Sequence, residues 1–214
     1  MKNKLLVVFL LILVALASCK DPASPTDTSD DLTKSFFPLE TGYKWYYDLY
    51  SGNVKSYSIH VQITKQVVRN GKTYFETCDS YDSNNLTYGT QYYRYEKDKL
   101  YIIGANFYGL DTTVEHVYYD FSGDVGSSFV YLGNGGARRT TITVKEKGAT
   151  VKGIDGTTYT DVIVLNFISE VQAGNGWYID QNYDHLFAKG IGLISFRPQT
   201  GYLLELTSYD LKKK

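Results

Sequence analysis

Between residues 35 and 214 the hydrophobic and polar positions alternate with period two, the pattern of strands that bury one face. The cleanest run is Ser56 to Thr64. There Tyr57, Ile59, Val61 and Ile63 share one face, and Ser58, His60, Gln62 and Thr64 the other. It leads to Arg69-Asn70-Gly71-Lys72, where Asn-Gly supplies the two positive φ angles of a type I′ hairpin turn. Thr73 to Tyr81 then returns antiparallel, and Asp79 to Gly89 reads as a polar loop. A second hairpin is predicted from Gln91–Glu96 and Lys99–Ala105 around Lys97-Asp98. Glu115 to Phe121 places Val117, Tyr119 and Phe121 on one side. A short strand over Phe129–Leu132 precedes the Gly133–Gly136 loop. Arg139–Lys147, with Ile142 and Val144 inward, and Thr150–Ile154 follow, up to a turn at Asp155-Gly156.

Tyr159 to Val171 breaks the alternation. Val162-Ile163-Val164-Leu165 is apolar on both faces, which predicts a central strand covered on both sides. Trp177–Gln181, Asp184–Ala188, Gly192–Arg197 and Tyr202–Tyr209 complete the series. No segment carries a helical stripe, and no internal repeat is visible. The fold class expected is all-β: a single antiparallel domain of roughly ten or more strands, either a sandwich or a strongly curved, partly closed sheet.

The N-terminus is built differently. Lys2 and Lys4 precede an apolar run from Leu5 to Ala17, shorter than the roughly 20 residues a spanning helix needs. It has the build of a secretory signal peptide. The run closes on Leu16-Ala17-Ser18-Cys19, which resembles the bacterial lipobox. That resemblance implies that residues 1–18 are removed and that Cys19 is lipidated. Each buried CH₂ contributes about 0.8 kcal/mol and one chain binds only marginally, so two or three chains on Cys19 make a stable anchor. Residues 19–34, with Asp21, Pro22, Ser24, Pro25, Asp27, Asp30 and Asp31, are too polar to form a core and read as a disordered tether. The expected location is the bacterial cell envelope, at the outer membrane, on either its periplasmic or its surface-facing side. Lys20-Asp21 resembles the short Lys-acidic signals of surface lipoproteins. Residues 35–214 form the β-rich domain, long enough for its own core.

Charge excludes one class of partner. The formal net charge is −1, with both signs mixed along the chain, so no basic stripe is available for nucleic acid. With Cys19 lipidated, Cys78 is the remaining thiol and is expected to be buried and inert within a strand. His60 and His116 fall on polar faces and His185 follows an Asp at a loop edge. No two of them share metal-ligand spacing, so neither a zinc site nor a cofactor is expected. Asp79, Asp82, Asn84 and Asn85 depart from calcium-loop spacing and lack the bidentate Glu. Gly133–Gly136 has no following Lys-Ser/Thr to cradle phosphate, and Arg138 and Arg139 behind it make only a small basic spot. There is no G-x-S-x-G elbow for a hydrolase. The sequence therefore predicts a protein that is not an enzyme.

Tyrosine is abundant, at 21 residues, and suits strands with a half-wet face. Tyr92, Tyr93, Tyr95, Tyr101, Tyr108, Tyr118 and Tyr119 crowd adjacent strands. Those at 92, 93, 95, 101 and 118 are candidates for an aromatic face that takes a glycan or a protein partner. Cross-strand aromatic packing is the plainer account.

Two passages carry a resemblance. Phe37-Pro38-Leu39, Gly42, Trp45 and Tyr47 are similar to the "FPL…G..W.Y" opening of a group of bacterial secreted and lipid-anchored proteins. Phe187-Ala188-Lys189-Gly190-Ile191-Gly192-Leu193-Ile194 is similar to their C-terminal "Y-A-x-G-V-G-L" motif, and Asp124 to Phe129 resembles their "VGDTW" segment with Phe129 in place of Trp. The resemblance implies a β-rich envelope domain of unassigned activity, and it brings no catalytic residues. Read physically, Gly190 and Gly192 mark a strand bend or a close backbone approach, Pro38 sets the path into the first strand, and Trp45 plugs one end of the core. The function expected is that of a lipid-anchored binding or structural module. The alternative is a carrier that holds an apolar ligand, a lipid or acyl chain, on a concave sheet; such carriers cover the sheet with helices, and none is predicted here.

Overall fold

The computed structural model describes residues 34–81, 86–104, 112–199 and 201–211. Twelve strands form one antiparallel sheet: β1 (Lys44–Ser51), β2 (Val54–Arg69), β3 (Lys72–Tyr81), β4 (Leu86–Glu96), β5 (Lys99–Ile103), β6 (His116–Asp120), β7 (Ser128–Gly133), β8 (Arg138–Lys152), β9 (Thr158–Ala173), β10 (Gly176–Ala188), β11 (Gly192–Pro198) and β12 (Tyr202–Asp210). Their spatial order is β6-β5-β4-β3-β2-β1-β12-β11-β10-β9-β8-β7. Every strand but β6 and β7 lies beside both of its sequence neighbours or, for β1 and β12, beside one neighbour and each other. The chain thus makes two meanders, joined where its first and last strands pair, and leaves an open seam between β6 and β7.

Local chemistry explains the meander. Asn70 (φ 51°) and Gly71 (φ 74°) adopt the two positive φ angles that Asn-Gly favours, and Arg69 pairs with Lys72 across them. Glu96 pairs with Lys99 around Lys97-Asp98 as the pattern predicts. Two-residue turns also join Ser51 to Val54 and Ala173 to Gly176.

Three segments differ from the sequence reading. Asp79 is not in a loop: β3 runs on to Tyr81 and β4 begins at Leu86. Residues 139–147 and 150–152 belong to one strand, which keeps its pairing to β9 by slipping register between Val144 and Val151, and 153 and 154 already lie in the turn that follows. Likewise 177–181 and 184–188 are one strand with a slip between Ile179 and Gln181. Bulges of this kind interrupt alternation without ending a strand, so a period-two count stops too early.

The sheet is a single layer wrapped around its own core and not closed into a barrel, rather than two stacked sheets. At the β6 edge Tyr119 packs its ring against Phe167 of β9 (5.9 Å) and Phe187 of β10 (4.7 Å), near the other edge. Tyr131 of β7 donates from its hydroxyl to the Tyr118 carbonyl of β6 at 2.5 Å, a side-chain link across the seam. The core includes Phe121, Ile142, Leu165, Phe167 and Phe187, each at 0 % exposure. Val162 to Leu165 are all buried, so this stretch of β9 is covered on both faces as its composition predicts.

Candidate functional site

The two short motifs at opposite ends of the domain meet in space. The Trp45 indole donates to the Ile191 carbonyl at 2.7 Å, and the Tyr47 hydroxyl to the Leu193 carbonyl at 3.0 Å. Gly190 N–H bonds to the Ser35 carbonyl. A Cβ on Gly192 would stand 3.4 Å from the Trp45 indole nitrogen and 3.6 Å from the Pro38 ring. Trp45 is buried in the core at 4 % exposure, and the strap of Phe37, Pro38 and Leu39 lies over the inner face of the sheet beside it.

Beneath that strap is a cavity of about 240 Å³. Alternation builds its walls. Trp45 pairs with Val61, which pairs with Asp79; Tyr47 pairs with Ile59; Thr77 pairs with Gln91. All of these point inward, together with Tyr93 of β4, Tyr118 and Tyr119 of β6, Leu193 of β11 and Leu204 of β12. β6 contributes two consecutive tyrosines because its register with β5 shifts: Leu100 faces Tyr119 and Tyr101 faces Val117, leaving Tyr118 as the extra residue.

The walls are mostly carbon, and the polar groups on them are few. Thr77 Oγ1 donates to the Gln91 carbonyl at 3.4 Å, and the Tyr93 hydroxyl donates to Gln91 Oε1. The one carboxylate among the described lining residues is that of Asp79. Its strand loses register with β4 between Cys78 and Ser80, so it has no residue opposite it on that side. Burial pushes its carboxyl up to about 7, and no cation or hydrogen-bond donor among the described residues offsets this. The Tyr47, Tyr93 and Tyr118 phenols are raised first by burial and further by the nearby Asp79 charge, Tyr118 to about 12. Asp79 therefore sits in an aromatic enclosure, poised between its charged and neutral forms at neutral pH.

The tyrosines singled out from the sequence separate onto two faces. Tyr93 and Tyr118 are buried and line the cavity. Tyr95 is half-buried against the core and its hydroxyl donates to the Phe37 carbonyl, tying down the strap. Tyr92 and Tyr101 face the other way. Arg69 lies over the Tyr92 ring at 3.5 Å and Arg94 over Tyr101 at 4.1 Å, so the protein's own guanidinium groups cover both rings. Tyr108 lies outside the described residues, as do Asp82, Asn84 and Asn85 of the loosely calcium-like stretch, and Cys19 with its lipobox.

His185 is not at a loop edge. It lies in β10 at 5 % exposure among Phe167, Tyr183, Phe187 and Phe196, and its Nδ1 shares a 2.7 Å hydrogen bond with the Tyr119 hydroxyl. Burial lowers its pKa to about 3, so the ring is neutral. On the outer face Arg94, with its side chain 8 % exposed, pairs with both Glu115 and Glu96. Burial alone would raise the Glu115 carboxyl, but hydrogen bonds from Arg94, Tyr74 and Lys72 outweigh it and bring it down to about 2. Arg138 and Arg139 are held by Asp180 and Glu170, and Arg139 also covers Trp177. Cys78 is a free thiol, half-buried rather than buried. Among the described residues no group of three His, Cys, Asp or Glu side chains is placed to hold a metal ion.

Sequence reasoning overlooked Asp79, Thr77 and Gln91 as cavity residues. A signal was present: counting in twos from Phe75 lands on Thr77 and Asp79. The polarity of the following segment masked it.

No protein-family model matches the chain, and no curated protein matches it. Among solved structures, the chain is similar to a Bacteroides fragilis protein described as a "putative exported protein with YmcC-like fold". The identity is 10 % and the TM-score 0.55, over 82 % of this chain and 99 % of that one. A "putative lipoprotein" from Parabacteroides distasonis aligns over 82 % of this chain and 98 % of its own, at 11 % identity and a TM-score of 0.47. The first likeness shows a shared fold.

Proposed function

We propose that this chain is a lipid-anchored protein of the bacterial cell envelope whose domain is a non-catalytic binding module, taking a small, largely apolar ligand into the cavity under the Phe37–Leu39 strap. Support for the address comes from the lipobox-like Leu16-Ala17-Ser18-Cys19 and the polar tether after it. It is in keeping with the B. fragilis fold neighbour, whose own description is of an exported protein. Replacing Cys19 by Ala moves the protein from the membrane to the soluble fraction on this reading; retention at the membrane contradicts it.

The observation that carries the binding role is the cavity itself: apolar walls with a few convergent polar groups, the usual character of a ligand site. Its size limits the ligand. A cavity of about 150 Å³ holds benzene, so about 240 Å³ accepts on the order of ten non-hydrogen atoms. That is too few for a whole lipid or a long acyl chain, and it narrows a carrier to small ligands. The walls present one carboxylate among phenols whose protons burial holds in place, which favours binding over chemistry.

The described core is drawn from Phe36 to Leu211, so residues 20–214 retain all of it. In that protein with Trp177→Phe, Trp45 alone reports from the cavity wall. Titration with 2-phenylethanol is expected to change its fluorescence and raise the thermal midpoint, and Val61→Trp, which fills the cavity, is expected to abolish both. A flat titration, with no small-molecule adduct by native mass spectrometry, rejects this reading.

A further inference from the structure

A carboxylate with no cationic partner, set in a ring of aromatic faces, is an unusual feature for a small apolar cavity. Asp79 has no residue opposite it on β4, and none of the described residues lining the cavity is Lys, Arg or His. The groups that face it are Tyr47 from β1, Tyr93 and Gln91 from β4, Tyr118 from β6 and Thr77 from its own strand. The Tyr47 and Tyr93 hydroxyls already donate elsewhere, to the Leu193 carbonyl and to Gln91 Oε1. What remains free to complement the site is the negative end of Asp79 and the electron-rich ring faces around it. Both favour a positive charge, one as an ion pair and the other through the ring quadrupole.

We propose that the cavity selects small organic ammonium ligands, with the cationic nitrogen at Asp79 and the apolar body against Trp45, Val61 and Leu204. This inference rests on the binding role proposed above and adds the ligand's chemical class. A neutral ligand of the same shape fills the same space but shuts the half-buried carboxylate away from water without a partner, which is the costly arrangement. An anionic ligand places like charge against it. The ammonium ligand needs the ionised form of Asp79, so its affinity rises with pH through the range where the buried carboxyl titrates and levels off above it, while the amine itself stays charged.

The test compares three probes of one shape on residues 20–214: 2-phenylethylammonium, 2-phenylethanol and phenylacetate, by calorimetry at pH 8.0 and pH 5.5. The expected result is that the ammonium binds at least about tenfold tighter than the alcohol at pH 8.0, with phenylacetate weakest and the advantage shrinking at pH 5.5. Asp79→Asn is expected to erase the advantage and keep alcohol binding. If the alcohol binds as tightly as the ammonium at pH 8.0, or the ammonium keeps its advantage in Asp79→Asn, the ligand class is wrong and the cavity remains a neutral-ligand site. If none of the three binds, the binding role falls and this inference with it.

Discussion

Asp79 shows how much one residue's position decides. As part of a polar loop it is an ordinary solvated carboxylate; on the inner face of β3 it is a half-buried acid with its pKa raised to about 7. The sign of its effect on stability follows. The unfolded chain loses this proton near pH 3.9 and the folded chain near 7. The native state therefore holds the extra proton between those values, and stability falls as pH rises across them. The thermal midpoint of Asp79→Asn is expected to fall less than the wild type's between pH 5 and pH 8, and the two proteins to differ most at the alkaline end. Parallel curves would mean that Asp79 is solvated. His185 works in the opposite direction, since its depressed pKa of about 3 makes the native state resist a proton the unfolded chain accepts below about 6.5. The Asp79→Asn comparison isolates one from the other.

At the scale of elements, the contact between β1 and the turn into β11 organises the site. Gly192 has φ of 107°, a region L-residues rarely occupy, and it sits against Trp45 and Pro38. Gly192→Ala is expected to cost about 1–3 kcal/mol from the backbone alone, read as a lower urea midpoint. A weaker near-UV signal from Trp45 is expected as well, because the Ile191 carbonyl that anchors the indole moves with the turn. An unchanged midpoint would show that the turn relaxes freely. The bulges belong to the same scale. One leaves Asp79 without an opposite number on β4 and another turns both Tyr118 and Tyr119 inward, so irregularities in pairing add the unpaired carboxylate and a second tyrosine to walls that regular alternation builds.

For the whole molecule, the pairing of β1 with β12 matters most. It joins the β1–β6 and β7–β12 meanders in the middle of the sheet, and the cavity takes walls from both. The rings of Tyr119, Phe167 and Phe187 also span both meanders, so neither half keeps its core without the other. Unfolding is expected to be a single cooperative step, with Trp45 fluorescence in Trp177→Phe and far-UV circular dichroism tracing the same urea curve. Separate midpoints would mean that the halves are independent units.

The chain alone determined its all-β character, most of its strands, the hairpin turn at Asn70-Gly71 and the double-sided burial of Val162 to Leu165. Each of these depends on neighbours a few residues apart, where period-two patterning and turn chemistry act directly. The meeting of the Phe37–Tyr47 and Gly190–Leu193 segments, and with it the sheet's curvature, depends on contacts across more than a hundred residues, and the bulges depend on how neighbouring strands pair. No local pattern encodes those. For that reason the aromatic residues were legible as strand formers but not as two opposed faces, and His185 and Asp79 looked solvated until the fold surrounded them. What a polar side chain does here is decided by the company that tertiary structure gives it, because burial and the partners within reach, not residue type alone, set its charge.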